Sequence, residues 1–162
     1  MLFDESKALD LASLIKAPSQ GLLRCRIVYD KKIHSIEYMP YQAKNIQSLE
    51  IISSQLDYAH KYENREALNA LVAQCPQADD ILIEKDGFIT DTSIANIAFY
   101  DGKKWLTPLR PLLKGTIRQK LLDDGFLFAQ NIKKEEIKNY THIALMNAML
   151  GFKILKSPKI RY

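Results

Sequence analysis

The chain has 162 residues, 47% hydrophobic and 26% charged, enough for one well-buried core or for one domain and part of a second. Its 23 Lys and Arg against 19 Asp and Glu leave a net charge of +4, but the two signs interleave, as in Lys133-Lys134-Glu135-Glu136, which argues against a nucleic-acid footprint. No apolar run is long enough to cross a bilayer and the start, Met1-Leu2-Phe3-Asp4-Glu5-Ser6, lacks the basic lead and apolar stretch of a signal peptide, so a cytoplasmic protein with neither membrane nor nucleic-acid partner is expected.

Asp4 to Lys16 carries apolar residues at helical spacing, with Leu9, Leu11, Leu14 and Ile15 on one side, and stops before Pro18 and Gly21. Two strands are expected next, Leu22 to Tyr29 and Ile33 to Tyr41, joined by Asp30-Lys31-Lys32. On the first of them Cys25 shares a face with Leu23, Ile27 and Tyr29 and reads as a core residue. Pro40 and the polar run from Gln42 to Gln47 mark a boundary. It divides the chain into a partial small N-terminal lobe, 1–41, and a larger C-terminal domain, 42–162.

Ser48 to Ser53 reads as a strand, followed by a polar segment holding Lys61. A helix is expected from Asn64 to Cys75, with Ala67, Leu68, Leu71, Val72 and Cys75 on one face. Cys25 and Cys75 form no CxxC or Cys/His spacing, so neither a disulfide nor a metal site is expected. Strands follow at Asp80 to Glu84, Phe88 to Thr90, Asn96 to Tyr100 and Lys104 to Thr107, with Asp86-Gly87 and Asp101-Gly102 as hairpin turns. Gly115 opens a helix that runs to Asp124 and is stopped by Gly125. A strand (Phe126 to Gln130), a short helix (Lys134 to Asn139) and two strands (His142 to Met146, Phe152 to Leu155) complete the pattern. The fold class is α+β, a mixed α/β chain with a mostly antiparallel, strand-rich, barrel-like second domain rather than a βαβ alternation.

Four places could carry chemistry. In Gly115-Thr116-Ile117-Arg118 a glycine turn feeds a helix whose first N–H groups and dipole favour a phosphate, although the same residues fit a surface helix with Arg118 solvated. Asn147-Ala148, after the apolar strand Ile143 to Met146, offers further donors or is a plain turn former. Asp91 is a carboxylate at the end of a hairpin strand, or the cap of a turn beside Thr92 and Ser93. Lys61, in His60-Lys61-Tyr62-Glu63-Asn64-Arg65, is a candidate amine nucleophile, a role that needs its neutral form. His34, His60 and His142 show no ligand spacing, and Trp105, Thr107 and Pro108 look structural.

Taken in order, Lys61-x-x-Asn64-Arg65, Thr90-Asp91-Thr92-Ser93-Ile94-Ala95-Asn96, Leu113-Lys114-Gly115-Thr116-Ile117-Arg118 and Met146 to Gly151 resemble the class IV aminotransferases. These fold-type-IV pyridoxal-phosphate enzymes include branched-chain and D-amino-acid aminotransferases and aminodeoxychorismate lyase. The likeness runs from about Leu9 to Phe152 and is strongest from Lys61 to Arg118. It implies pyridoxal 5′-phosphate as cofactor, a small-molecule amino substrate and a homodimer with sites near the subunit interface. It makes Lys61 the catalytic lysine, which holds the cofactor and shuttles the substrate α-proton. Asp91 becomes the partner of the cofactor ring nitrogen. Ser93 joins it as a cofactor contact and Leu113 packs on the ring. Gly115, Thr116, Ile117, Asn147 and Ala148 grip the phosphate.

The implied activity closest to these motifs is elimination of pyruvate from aminodeoxychorismate, leaving 4-aminobenzoate for folate synthesis. The other readings are a branched-chain or D-amino-acid transaminase and a non-catalytic remnant of the fold. Two departures stand out. The family usually has Glu where this chain has Asp91, and no His-x-x-Arg precedes Arg24. A few dozen residues of the small lobe are therefore expected to be absent, with Arg24 or Arg26 as stand-ins for the arginine that grips the phosphate.

Overall fold

The computed structural model describes residues 10–16 and 18–162. Residues 4–9 of the helix expected from Asp4 to Lys16 lie outside the described residues. What is described is one turn, α1 (Leu11–Leu14), whose N-cap Asp10 accepts a hydrogen bond from the Ser13 amide at 3.2 Å. The chain divides into two compact units, 1–44 and 45–162.

In the first unit β1 (Leu23–Tyr29) and β2 (Ile33–Pro40) pair antiparallel, from Leu23 opposite Pro40 to Tyr29 opposite Ile33. None of this unit's described residues is buried. Cys25 is therefore exposed rather than a core residue. Burial along β1 does not follow the alternation, since Cys25 and Tyr29 are exposed while Arg26 and Val28 are half-buried, and a strand face becomes a core only when a second layer covers it.

The second unit is built on β3 (Ser48–Ser53), β4 (Asp80–Lys85), β5 (Phe88–Thr92), β6 (Asn96–Tyr100), β7 (Trp105–Pro108), β8 (Leu127–Gln130), β9 (His142–Asn147), β10 (Gly151–Ile154) and β11 (Lys159–Arg161). They form one sheet in the order β10-β9-β6-β5-β4-β3-β11, with β7 attached to β6 and β8 to β7. Strand β6 is the branch point. One edge pairs along its whole length with β9, while β5 pairs at its start (Asp91 opposite Asn96) and β7 at its end (Phe99 and Tyr100). The Asp86-Gly87 turn has positive φ at both residues, 52° and 81°, the geometry that a two-residue hairpin linking twisted strands needs.

Most pairings are antiparallel, as the pattern predicted. The exceptions are β3 with β4, β7 with β8, and β11 with β3. The first two are crossovers through α2 (Glu66–Ala73) and α3 (Thr116–Asp123), so two βαβ units sit inside a sheet for which that alternation was not expected. The short β11 also escaped the sequence pattern, because three residues carry no readable periodicity.

Period-2 alternation sends successive side chains of each central strand into different clusters. From β6, Ile97 and Phe99 join Leu49, Leu82, Ile89, Leu106, Ile143 and Leu145 in the main core, which Ile46, Ala95, Ile132, Ile137 and Leu155 complete. Ala98 and Met146 point the other way, into a cluster with Ile117, Leu121 and Leu122 of α3. On β4, Ile81 and Ile83 meet Leu68 and Cys75, so the second cysteine is the apolar residue its spacing suggested. Burial on both faces explains why Asp80–Lys85 reads as an almost unbroken buried run.

Candidate active site

Asp91 and Asn96 are the closing pair of the β5–β6 hairpin, so their side chains leave the same face. That face is the one carrying Ala98 and covered by α3, which starts at Gly115. Asn96 Nδ2 donates to Asp91 Oδ1 and to the Leu113 carbonyl, both at 2.7 Å. The Leu113 amide in turn donates to Asp91 Oδ2 at 2.9 Å. Three separated pieces of sequence, Asp91, Asn96 and the Leu113–Gly115 turn, are thus tied into one knot. The β5–β6 turn itself is closed by Thr92, whose hydroxyl donates to the Ala95 carbonyl and accepts from the Ala95 amide, both at 3.1 Å. Asp91 is therefore not that turn's cap.

The Asp91 carboxyl is 4% exposed, and burial pushes its pKa up to about 6. The Leu113 amide, the Asn96 amide, the Arg118 charge and the Leu112 amide pull it back, in that order. Arg118 is 5% exposed, and its Nη2 donates to the Pro108 carbonyl at 2.7 Å. It is a buried cation beside a buried carboxylate, not a solvated charge at a helix start. Burial lowers its own pKa and Asp91 raises it again.

Ser93 is clamped by opposite charges. Its hydroxyl donates to Asp80 Oδ1 at 2.5 Å and its carbonyl accepts from Arg65 Nη2 at 2.8 Å. Asp80 is buried, and its Oδ2, like the Nε atoms of Arg65 and Arg118, has no partner among the described residues. Asn147 Nδ2 reaches the same hairpin turn at the Ile94 carbonyl, 3.0 Å, while its Oδ1 accepts from the Met149 and Leu150 amides at 2.9 Å. Asn147 is thus a turn former that also ties the β9–β10 turn to the β5–β6 turn, with Ala148 exposed beside it.

At α3, Gly115 is the N-cap and no side chain caps the helix, so no side-chain acceptor covers its first N–H groups. Thr116 is exposed, whereas the Ile117 side chain packs inward. Leu113 is half-buried. Lys61 lies in the β3–α2 segment and is exposed. Its neighbours Tyr58, His60 and Tyr62 form an aromatic group, with Tyr62 edge-on to the other two at 6.0 and 5.8 Å. The contacts of the described residues therefore gather Asp91, Ser93, Leu113, Gly115 and Asn147 around one hairpin. Lys61 is linked to it along the chain, through Arg65 and its bond to Ser93.

Residues 11–157 match the amino-transferase class IV family. The chain belongs to the class IV aminotransferase family. An uncharacterised protein of Haemophilus influenzae is 42% identical over 149 residues, 90% of this chain and 79% of its own. A "putative aminodeoxychorismate lyase" of Schizosaccharomyces pombe is 35% identical over 89 residues, which are 51% of this chain and 38% of that protein. A crystal structure described as a "putative 4-amino-4-deoxychorismate lyase" from Haemophilus somnus 129pt superposes with a TM-score of 0.82 at 35% identity, covering 91% of this chain and 79% of that one. More distant structures, related by fold alone, include aminotransferases with pyridoxal phosphate bound.

Within this class IV chain, Asp91, Leu113 and Gly115 are legible in the sequence, but the bonds that join them are not. Asn96 was legible only as part of a motif, although its place opposite Asp91 across a four-residue turn was a signal. Arg118 lies three and four residues before Leu121 and Leu122, on the inward stripe of α3, which foretold its burial. No sequence signal pointed to Asp80 or Arg65 as the partners of Ser93.

Proposed function

We propose that this chain is a pyridoxal-phosphate enzyme of the class IV fold, acting on a small amino substrate and closest in activity to aminodeoxychorismate lyase. The observation that carries the reading is the Asp91–Asn96–Leu113 knot, which holds a buried carboxylate next to the uncapped start of α3. Those two features suit the two charged ends of the cofactor. An ionised carboxylate has about four acceptor positions, so Asp91 keeps capacity for a cationic ring N–H beyond the bonds it accepts here. The first amides of α3, at Thr116 and Ile117, suit a phosphate.

When bound, the cofactor supplies an electron sink for negative charge at the substrate α-carbon. Asp91 keeps the proton on the ring nitrogen, and Arg118 behind it favours the ionised carboxylate that this task needs. Leu113 supplies an apolar surface for the ring. Lys61, exposed on its segment, is accessible to an aldehyde; its Nζ holds the cofactor and then carries the proton at the substrate α-carbon. The order Lys61-x-x-Asn64-Arg65 and the 35% identity to the Haemophilus somnus protein support the lyase over a transaminase.

One observation favours a second reading, a chain that keeps the fold but binds cofactor weakly: both Asp91 oxygens already accept hydrogen bonds. A single experiment separates the two. Purified protein and Lys61→Ala are titrated with pyridoxal phosphate and followed by visible absorption, then assayed for pyruvate release from aminodeoxychorismate without a keto acid. A band that Lys61→Ala lacks, with pyruvate formed, supports the lyase. A band with turnover only when a keto acid is present points to a transaminase. No band leaves the non-catalytic reading standing.

A further inference from the structure

We propose that the C-terminal unit carries a cavity that binds a small cyclic carboxylate, with Arg110 as the residue that holds the carboxylate. The site is a cavity of about 260 Å³ lined by the β3–α2 segment, the β4–β5 hairpin and the β7–α3 connection. A dry cavity of about 150 Å³ accommodates a benzene ring, so this volume takes a six-membered ring with one substituent group. Its apolar wall comes from Phe88, Pro111 and Leu112, which offer a ring face and flat aliphatic surface.

The polar wall decides the ligand. Arg110 lines the cavity, and its guanidinium has no hydrogen bond or ion pair among the described residues. The Asn131 amide and the Tyr58 hydroxyl, also in the lining, have no hydrogen-bond partner among the described residues either, and Arg110 and Asn131 are exposed at its solvent side. The other charged lining groups are occupied. Lys85 Nζ donates to the Leu56 carbonyl at 3.1 Å, Asp86 Oδ1 accepts from Gln55 Nε2 at 3.0 Å, and Asp57 Oδ1 accepts from the Ala59 amide at 3.2 Å. Lys85 and Arg110 balance Asp57 and Asp86, so the wall is formally neutral and suits a monoanion better than a dianion such as phosphate. A planar guanidinium matches the two oxygens of a carboxylate, and the lining adds an amide and a hydroxyl as further donors. A cleft that offers apolar surface together with a few polar groups is the usual form of a small-molecule site.

The probe is benzoate, titrated by calorimetry and by amide chemical shifts into the protein without cofactor. The variants are Arg110→Gln and, as a control for loss of an exposed positive charge elsewhere, Lys103→Gln. The expected result is saturable binding to the wild type and to Lys103→Gln, shifts centred on Phe88 and Leu112, and a loss of roughly tenfold or more in Arg110→Gln. Benzamide, the neutral analogue, should bind far more weakly. No benzoate binding to the wild type, equal binding by Arg110→Gln, or equal binding of benzamide would each overturn the proposal. Because neither Lys61 nor the cofactor takes part, the result is independent of the absorption test above.

Discussion

Gly115 and Asn96 approach so closely that a Cβ on Gly115 would lie 2.1 Å from Asn96 Oδ1. The φ of Gly115 is −73°, which any residue adopts, so glycine is required here by the contact and not by the backbone. Asn96 cannot retreat without giving up its bonds to Asp91 and Leu113. The start of α3 and the position of the buried carboxylate are therefore set by one contact.

Gly115→Ala should destabilise the protein by roughly 2–4 kcal/mol, the sum of an overpacking cost and one or two lost hydrogen bonds. In the Asn96→Ala background the same substitution should cost far less, because the clashing amide is gone. Urea denaturation of the two single variants and the double variant measures the coupling. Additive effects would mean that the contact is not what requires glycine.

The raised pKa of Asp91 gives stability a definite pH dependence. Its folded value, about 6, lies above the unfolded carboxylate range near 4, so the folded state binds its proton more tightly. This group's contribution is most favourable below pH 4, is lost as pH rises to 6, and beyond that costs roughly 3 kcal/mol. Asp91→Asn removes the titration. Between pH 4 and pH 7.5 its stability relative to wild type should therefore improve by about that amount. A stability difference that stays constant with pH would show that burial does not hold the proton.

Arg118→Met should leave the Asp91 carboxylate without its nearby cation and the Pro108 carbonyl without its donor. The expected cost is roughly 2–4 kcal/mol at pH 7.5, shrinking toward pH 4 as Asp91 becomes neutral. Chemical denaturation at both values checks it. A loss that does not change with pH would assign Arg118 a packing role alone.

Ser93→Ala should cost roughly 2 kcal/mol, since it strips the buried Asp80 carboxylate of the hydroxyl donated to Oδ1. Asp80 Oδ1 keeps the Ile81 amide at 2.9 Å, and in Asp80→Asn the same substitution should cost less, because the group that loses the hydroxyl is then neutral. Thermal unfolding of the four proteins measures the difference. Equal costs in both backgrounds would remove the charged clamp from the explanation.

Periodicity and turn residues were enough to place most of the local elements. Ser48–Ser53 and Asn96–Tyr100 fall where alternation placed them, and Asp86-Gly87 forms the hairpin its residue types demand. These depend on neighbours a few residues away, and periodicity records such neighbours directly. What those elements face follows from packing between distant parts of the chain. Cys25 sits on a strand whose residue types alternate yet is exposed, because none of the described residues of its unit is buried and that face makes no core. Arg118 is buried because α3 lies over β6 and β9. The pairing of β11 with β3 joins residues about a hundred positions apart. The Asp91–Leu113 bond spans 22 residues. A carboxylate's environment is the sum of groups that folding brings to it, so the residue types could name Asp91 as a candidate, but only packing raised its pKa and set Asn96 and Arg118 around it.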